Sequence, residues 1–361
     1  MGFDGDSSLT NLGRIEGDVR MGSSNAVLAI GTGSVIIGKV EAGQDDGTRK
    51  KELQLIGNGG DVYDSSFTGF KSLTVNVPGG LWALTGNQTY SDGITIGAGT
   101  LQLSNGGTSG QLTGDIVDNS VFAINRSDTV TLGNTISGTG SLRQIGSGVT
   151  ILNGATSYSG GTFVDAGVLR LGIDNALIAT GALTVNAAGT FDLADHKQAV
   201  GDFSGSGSVQ LGSGSFTVGS GNDTAFSGAI SGAGTLTKQG SRMLTLSGAS
   251  TYTGATTVAA GTLAVEGSIG NSAVTVGNGA KLGGRGTVGS LAAQSGATIA
   301  PGMLSPFTTL NAAGNVGFAP GSTFLVNVNA GARATSSSPA ARRPSRAARS
   351  RSWPRTAPTR P

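Results

Sequence analysis

Apolar and small polar residues alternate in short runs along the whole chain. Leu73-Thr-Val-Asn-Val77, Ile94-Thr-Ile96, Leu101-Gln-Leu103, Leu244-Thr-Leu246, Leu263-Ala-Val265 and Ala273-Val-Thr-Val276 all show it. A period of two marks strands with one buried face. Gly, Asn, Asp and Ser interrupt the runs about every 8–12 residues, as turns between short strands do. No run of about 12 or more residues keeps a helical period. The pattern predicts an all-β protein of many short strands.

The runs also repeat. Residues 137–171 align without gaps to 231–265, an offset of 94, with 16 identities in 35. The shared skeleton is Ser-Gly-x-Gly-[Ser/Thr]-Leu, a Gly-Ser turn, Leu-x-Gly-Ala-x-x-Tyr, then x-Gly-x-Thr-x-Val-x-Ala-Gly-x-Leu. An earlier copy runs from Leu84 through Tyr90 to Leu101, with Tyr90 lying 68 residues before Tyr158. A smaller unit recurs at Phe203, Ile230 and Ile136, the first two 27 residues apart. These offsets predict rungs of about 22–27 residues, taken one, three and four at a time. One such unit cannot bury its own apolar face, but stacked units cover one another. The expectation is a parallel β-helix, or solenoid, of roughly 13–15 rungs and on the order of 65 Å.

Composition narrows the chemistry. Cysteine is absent, His196 is the single histidine, and glycine supplies 64 of 361 residues without a Gly-X-Y period. Collagen, disulfide scaffolds, zinc sites and any mechanism needing two histidines are excluded. Residues 1–332 hold 15 basic and 21 acidic residues, a net charge of −6, while Arg333 to Pro361 holds eight arginines and no acid. The overall basicity therefore belongs to the tail. Met1–Asp6 lacks the basic and apolar regions of a signal peptide, and Ala26–Ile30 is too short to cross a bilayer.

Several segments resemble the passengers of bacterial autotransporters. Asn222-Asp-Thr-Ala-Phe-Ser-Gly228 through Lys238, Leu246-Ser-Gly-Ala-Ser-Thr-Tyr-Thr-Gly254 and Val258-Ala-Ala-Gly-Thr-Leu263 are similar to their passenger-associated repeat. Val274 through Val288, Ser295 through Gly302 and Phe318 through Val328 are similar to the usual end of such passengers. The similarity covers roughly 60–332. It implies a right-handed β-helix displayed on a Gram-negative cell surface or released outside, acting as a structural or adhesive stalk without catalysis. Its implied partners are host or bacterial surface macromolecules, glycans among them, or further copies of itself. The intact relative would add a translocator barrel; no nucleic-acid partner is expected. Four regions follow: 1–59, β-rich rungs with a weaker pattern; 60–261, the repeat-containing β-helix; 262–332, a C-terminal cap and folding segment; and 333–361, a disordered Arg/Pro/Ala/Ser tail. The family's export signal and barrel do not stand in the sequence. The abrupt change after Ala332 reads as a shift of reading frame, so a truncated gene remnant is one alternative. A β-helix polysaccharide lyase or hydrolase is another.

Candidate chemistry is sparse. Phe3-Asp-Gly-Asp-Ser-Ser-Leu9 resembles the Gly-Asp-Ser-Leu block of one esterase family, but an extra serine interrupts it. His196 follows Asp192 and Asp195 at the wrong spacings to activate a serine. Gly219-Ser-Gly-Asn-Asp-Thr224 is similar to one turn of a calcium-binding nonapeptide, yet no second copy follows to share the ion. Gly57-Asn-Gly-Gly-Asp61 with Asp64 is weaker. Asp45-Asp46 with Arg49-Lys50-Lys51-Glu52 reads as a solvated loop between Val40 and Leu53, and His196 as a surface residue. Tyr90, Tyr158 and Tyr252 occupy equivalent places, which argues for rings covering corners with hydroxyls reaching solvent or backbone; a glycan-stacking surface is the alternative. The arginine tail could meet phosphates, but it holds five prolines and only Trp353 as an aromatic. No catalytic, cofactor-binding or metal-binding residue is assigned, and no cofactor is expected.

Overall fold

The computed structural model describes residues 5–43, 47–63, 67–219 and 221–327. They wind into a parallel β-solenoid of about 15 turns with no helix. At about 4.8 Å per rung such a stack is about 70 Å long.

Each rung has three sides. The first begins with Ser7–Asn11 and Ala26–Gly31, passes through 72–76, 93–96 and 116–118, and ends with Leu291–Ala293 and Val316–Phe318. A bridge from Ile136 to Thr156 and a bond from Thr156 N to Ala176 O carry it through the middle. The second side includes Gly60–Tyr63, 81–84, 100–103 and Val121–Ile124, and closes with Thr298–Pro301 and Thr323–Phe324. The third includes Thr129–Leu132, Val149–Leu152, 168–171 and Ser208–Gln210.

Alternation along the strands puts the same face inward on every rung. Leu28, Leu53, Leu73, Ile94, Ile116 and Ile136 stand directly over one another, each at most 1% exposed. Burial of such side chains stabilises by about 1.5–3 kcal/mol each. Aromatics join the core as well: Phe203 stacks on Phe226 at 4.4 Å between centroids and meets Phe216 edge-on at 5.2 Å.

Corners are made by glycine where the chain bends without leaving the sheet. Gly93–Leu103 and Thr162–Leu171 each serve two sides, bending at Gly99 and Gly167. Gly99, Gly167 and the repeat-equivalent Gly261 have φ of 79°, 58° and 65°, a region that favours glycine. A Cβ at Gly167 would press on the carbonyls of Gly146 and Gly148; one at Gly261 would meet those of Gly240 and Arg242.

The register corrects the expected rung. Stacked residues are separated by 17 (Val274 to Leu291) to 27 (Val40 to Phe67), with many steps near 20, such as Leu142 to Thr162. The repeat offsets are therefore not whole rungs. Ser141–Gln144 lies on the second side, whereas its repeat partner Thr235–Lys238 lies on the first. Phe203 stacks with Leu183 on the second side, while Ile230 stacks with Val209 on the third. The three sides are alike enough in strand length and corner chemistry that a repeat begins on any of them. The sequence unit is strand–corner–strand, and the rung is a separate period laid over it.

Candidate functional site

Most residues singled out in the sequence hold rungs together. Asp6 binds the backbone and side-chain nitrogens of Asn25 at 3.1 and 3.2 Å, and Ser7 begins the first strand. His196 lies far along the stack, its Nδ1 3.0 Å from Asp174 Oδ1. The serine and the histidine are not brought together. Asp61 Oδ2 accepts the Gly33 amide at 2.9 Å. Asp202 Oδ1 accepts the Gly221 and Asn222 amides at 2.9 and 3.1 Å, and Asp223 accepts the Met243 amide at 2.9 Å. The nonapeptide-like turn is thus tied by acids to its neighbouring rungs. Phe3, Asp4, Asp45, Asp46, Asp64, Ser220 and the 333–361 tail lie outside the described residues.

The same use of carboxylates recurs along the molecule. Asp18 takes the Lys39 amide, Asp174 the Lys197 amide and Asp195 the Ser213 amide and hydroxyl. Each bond spans 18 to 23 residues, one rung. These amides hold the Asp18, Asp174 and Asp195 carboxyls below the usual carboxylate range. Among the described residues, no three His, Asp or Glu come together as a group that could hold a metal ion.

The charged segment 49–52 departs from the loop expected there. Lys51 opens the strand Lys51–Ile56 and is fully buried. Its Nζ donates to the carbonyls of Gly22, Ser24 and Ala42 at 2.6, 2.7 and 2.8 Å. Glu52 is 7% exposed and accepts the Thr74 hydroxyl at 2.8 Å. A buried ammonium is tolerated when its donors are met. Nothing in the local sequence separates Lys51 from the exposed Arg49 and Lys50, because the carbonyls come from distant turns.

The repeated tyrosines also lie deeper than expected. Tyr90, Tyr158 and Tyr252 are at most 1% exposed. The Tyr158 hydroxyl meets Thr162 Oγ1 at 2.7 Å, Tyr252 meets Thr256 Oγ1 at 2.5 Å, and Tyr90 donates to Gln88 Oε1 at 3.4 Å. The hydroxyls reach core side chains rather than solvent or backbone, and the buried rings offer no stacking surface to a glycan.

One concavity stands apart from this structural pattern. On the third side, Asn87–Thr89 pairs with Gln111–Thr113, and a separate ladder starts at Thr129–Leu132. Between the two ladders lies a groove of about 430 Å³, lined by Asn87, Thr108 to Gln111, Arg126 and Thr129 to Thr131. Side-chain bonds bridge the gap where ladder bonds are lacking. Asn134 Nδ2 donates to the carbonyls of Leu112 and Gly114 at 3.2 and 2.6 Å. Arg126, 8% exposed, donates from Nε and Nη2 to Asp128 at 2.8 and 2.9 Å, and from Nη1 to the Gly110 carbonyl. That last bond fixes the end of the 104–110 loop, whose start is held by Gln102 Nε2 on the Ser104 carbonyl at 2.7 Å. Sequence reasoning missed this site. Its one visible signal is the long Ser104-Asn-Gly-Gly-Thr-Ser-Gly110 insert between apolar runs.

Comparison with known proteins agrees with the strand–corner–strand unit. The passenger-associated-transport-repeat family matches residues 79–103, 142–171 and 236–265. The second match begins on the second side and the third on the first side. An adhesin autotransporter of Brucella suis, BmaC, is 32% identical over 220 residues, 58% of this chain and 6% of that protein. An extracellular serine protease of Serratia marcescens is 39% identical over 104 residues, 29% of this chain and 10% of that protein. The chain thus spans a small part of either relative. No solved structure matches. Three matched repeats laid over a parallel β-solenoid, beside the likeness to an adhesin autotransporter, show that this chain carries passenger-associated repeats and is similar to autotransporter passenger domains.

Proposed function

We propose that this chain is a segment of a surface-displayed adhesive or structural stalk and performs no catalysis itself. The relation to an adhesin autotransporter across 58% of the chain carries the reading. The carboxylates support it, because Asp18, Asp174, Asp195, Asp202 and Asp223 are spent on backbone amides of neighbouring rungs. A stiff stack presents its loops away from the cell, and many weak contacts along it add up by multivalency. The net charge of −6 over 1–332 limits indiscriminate attachment to anionic surfaces. The partners in this reading are surface macromolecules or further copies of the chain, with a translocator barrel in the intact protein.

The test is display of residues 1–332 on a non-adherent bacterium through an unrelated anchor. Attachment to host-cell monolayers, or clumping of the displaying cells, is the expected result. Neither, or breakdown of polysaccharide or casein by the purified chain, overturns the reading.

A further inference from the structure

We infer that the groove between the third-side ladders binds a short stretch of neutral saccharide; this rests on the adhesive reading and names its ligand class. The lining is the first reason. Asn87, Gln111, Thr108, Ser109, Thr129 and Thr131 bring amides and hydroxyls, each able to donate and accept. Sugar hydroxyls have the same dual character. Charge is the second reason. Arg126 is the one charged residue in the lining, and its Nε and Nη2 are held by Asp128 while Nη1 holds the Gly110 carbonyl. No spare cation is left in the lining to attract a sulfate, phosphate or carboxylate.

Shape is the third reason. A docked peptide strand needs pockets for alternate side chains. Here the only large apolar lining residue, Val130, is 6% exposed and forms floor rather than pocket. The volume of about 430 Å³ lies at the lower end of small-ligand sites. The walls are set before binding, because Gln102 and Arg126 pin the two ends of the 104–110 loop. Such pre-organisation reduces the ordering cost of association. With no aromatic ring in the lining, affinity for a single sugar is weak and attachment depends on many copies.

The experiment is saturation-transfer NMR on the full chain, using maltotriose, cellotriose and chitotriose as neutral probes. A heparin hexasaccharide and a Gly/Ser decapeptide serve as the anionic and peptide probes. At least one neutral trisaccharide is expected to bind. Gln111→Ala with Thr131→Ala should weaken it about tenfold, and Thr129→Trp should abolish it by filling the groove. Unchanged circular dichroism and melting establish that these variants fold. The inference falls if no neutral trisaccharide binds, if binding survives Thr129→Trp, or if only the heparin or peptide probe binds. Cell attachment that persists without saccharide binding removes this inference and leaves the adhesive reading; loss of both removes both.

Discussion

Lys238 stands where Gln144 stands one repeat earlier, and both side chains turn inward to hold carbonyls of the turn that follows. Gln144 Nε2 donates to Gly146 O and Gly148 O at 2.8 and 3.4 Å. Lys238 Nζ donates to Gln239 O and Gly240 O at 2.7 and 3.0 Å. Gln144 also has an oxygen to satisfy, and the Thr150 hydroxyl donates to it at 2.6 Å. The residue equivalent to Thr150 is Leu244, fully buried and without a donor. Lysine has no acceptor, so it suits the site beside Leu244 and glutamine suits the site beside Thr150.

This pairing is testable by a double-mutant cycle. Lys238→Gln alone leaves a buried amide oxygen without a donor and should lower stability by about 1–3 kcal/mol. Adding Leu244→Thr supplies the donor. The cycle should return a favourable coupling of at least about 1 kcal/mol in urea unfolding midpoints. Additive single effects would show that the two positions are independent.

Asp118 gives a pH dependence. It is fully buried, and its Oδ1 accepts the Ser120 amide at 3.0 Å. Among the described residues, Oδ2 has no hydrogen-bond partner. Burial pushes its carboxyl up to about 6, outweighing the Ser120 and Phe122 amides. The folded state therefore holds a proton that the unfolded state releases near 4. The contribution of this group is most favourable at or below about pH 4 and falls as pH rises toward 6. The loss is on the order of 3 kcal/mol and complete above that pH. Asp118→Asn should flatten this part of the stability profile and raise the urea midpoint at pH 7. A profile as steep in the variant as in the parent would place the titration elsewhere.

The repeat glycines should be intolerant of any side chain. Gly167→Ala and Gly261→Ala each force a left-handed backbone on alanine, costing about 1–2 kcal/mol. Each also drives a methyl onto two carbonyl oxygens of the neighbouring rung. Gly279 makes a control, because its φ is 74° but no atom lies within 4 Å of the added Cβ. Alanine there should show the backbone cost alone. Melting temperatures that drop equally in all three variants would remove the role given to rung packing.

Strand existence, parallel stacking and the glycine corners were legible because each rests on local pattern. Leu73-Thr-Val-Asn-Val77 alternates, and a strand so short cannot cover its own apolar face, so stacking follows. Rung length was not legible, since repeats at Ser141–Gln144 and Thr235–Lys238 sit on different sides and the sequence period is not the stacking period. Lys51 was misplaced because its partners Gly22, Ser24 and Ala42 are remote in sequence. The groove escaped notice for the same reason: Asn87, Gln111 and Arg126 meet only after rungs are stacked.

The tyrosine sites separate hydroxyl bonding from ring burial. Tyr158 and Tyr252 each bond a threonine four residues on, at 2.7 and 2.5 Å, whereas Tyr90 reaches Gln88 at 3.4 Å. Thr256 Oγ1 also meets Ser272 Oγ at 2.7 Å, and Ser272 Oγ reaches the Gly254 carbonyl at 2.7 Å, so Tyr252 heads a chain of hydroxyls. Replacement by phenylalanine keeps the ring and removes the hydroxyl. The loss should be about 1 kcal/mol at Tyr158 and Tyr252, and smaller at Tyr90, where the bond is long. Replacement by alanine should cost about 3–5 kcal/mol at all three, because the rings fill the core. Urea midpoints of the six variants give the comparison. Equal losses for the three phenylalanine variants would mean that the hydroxyl partners do not matter and that the tyrosines recur for ring volume alone.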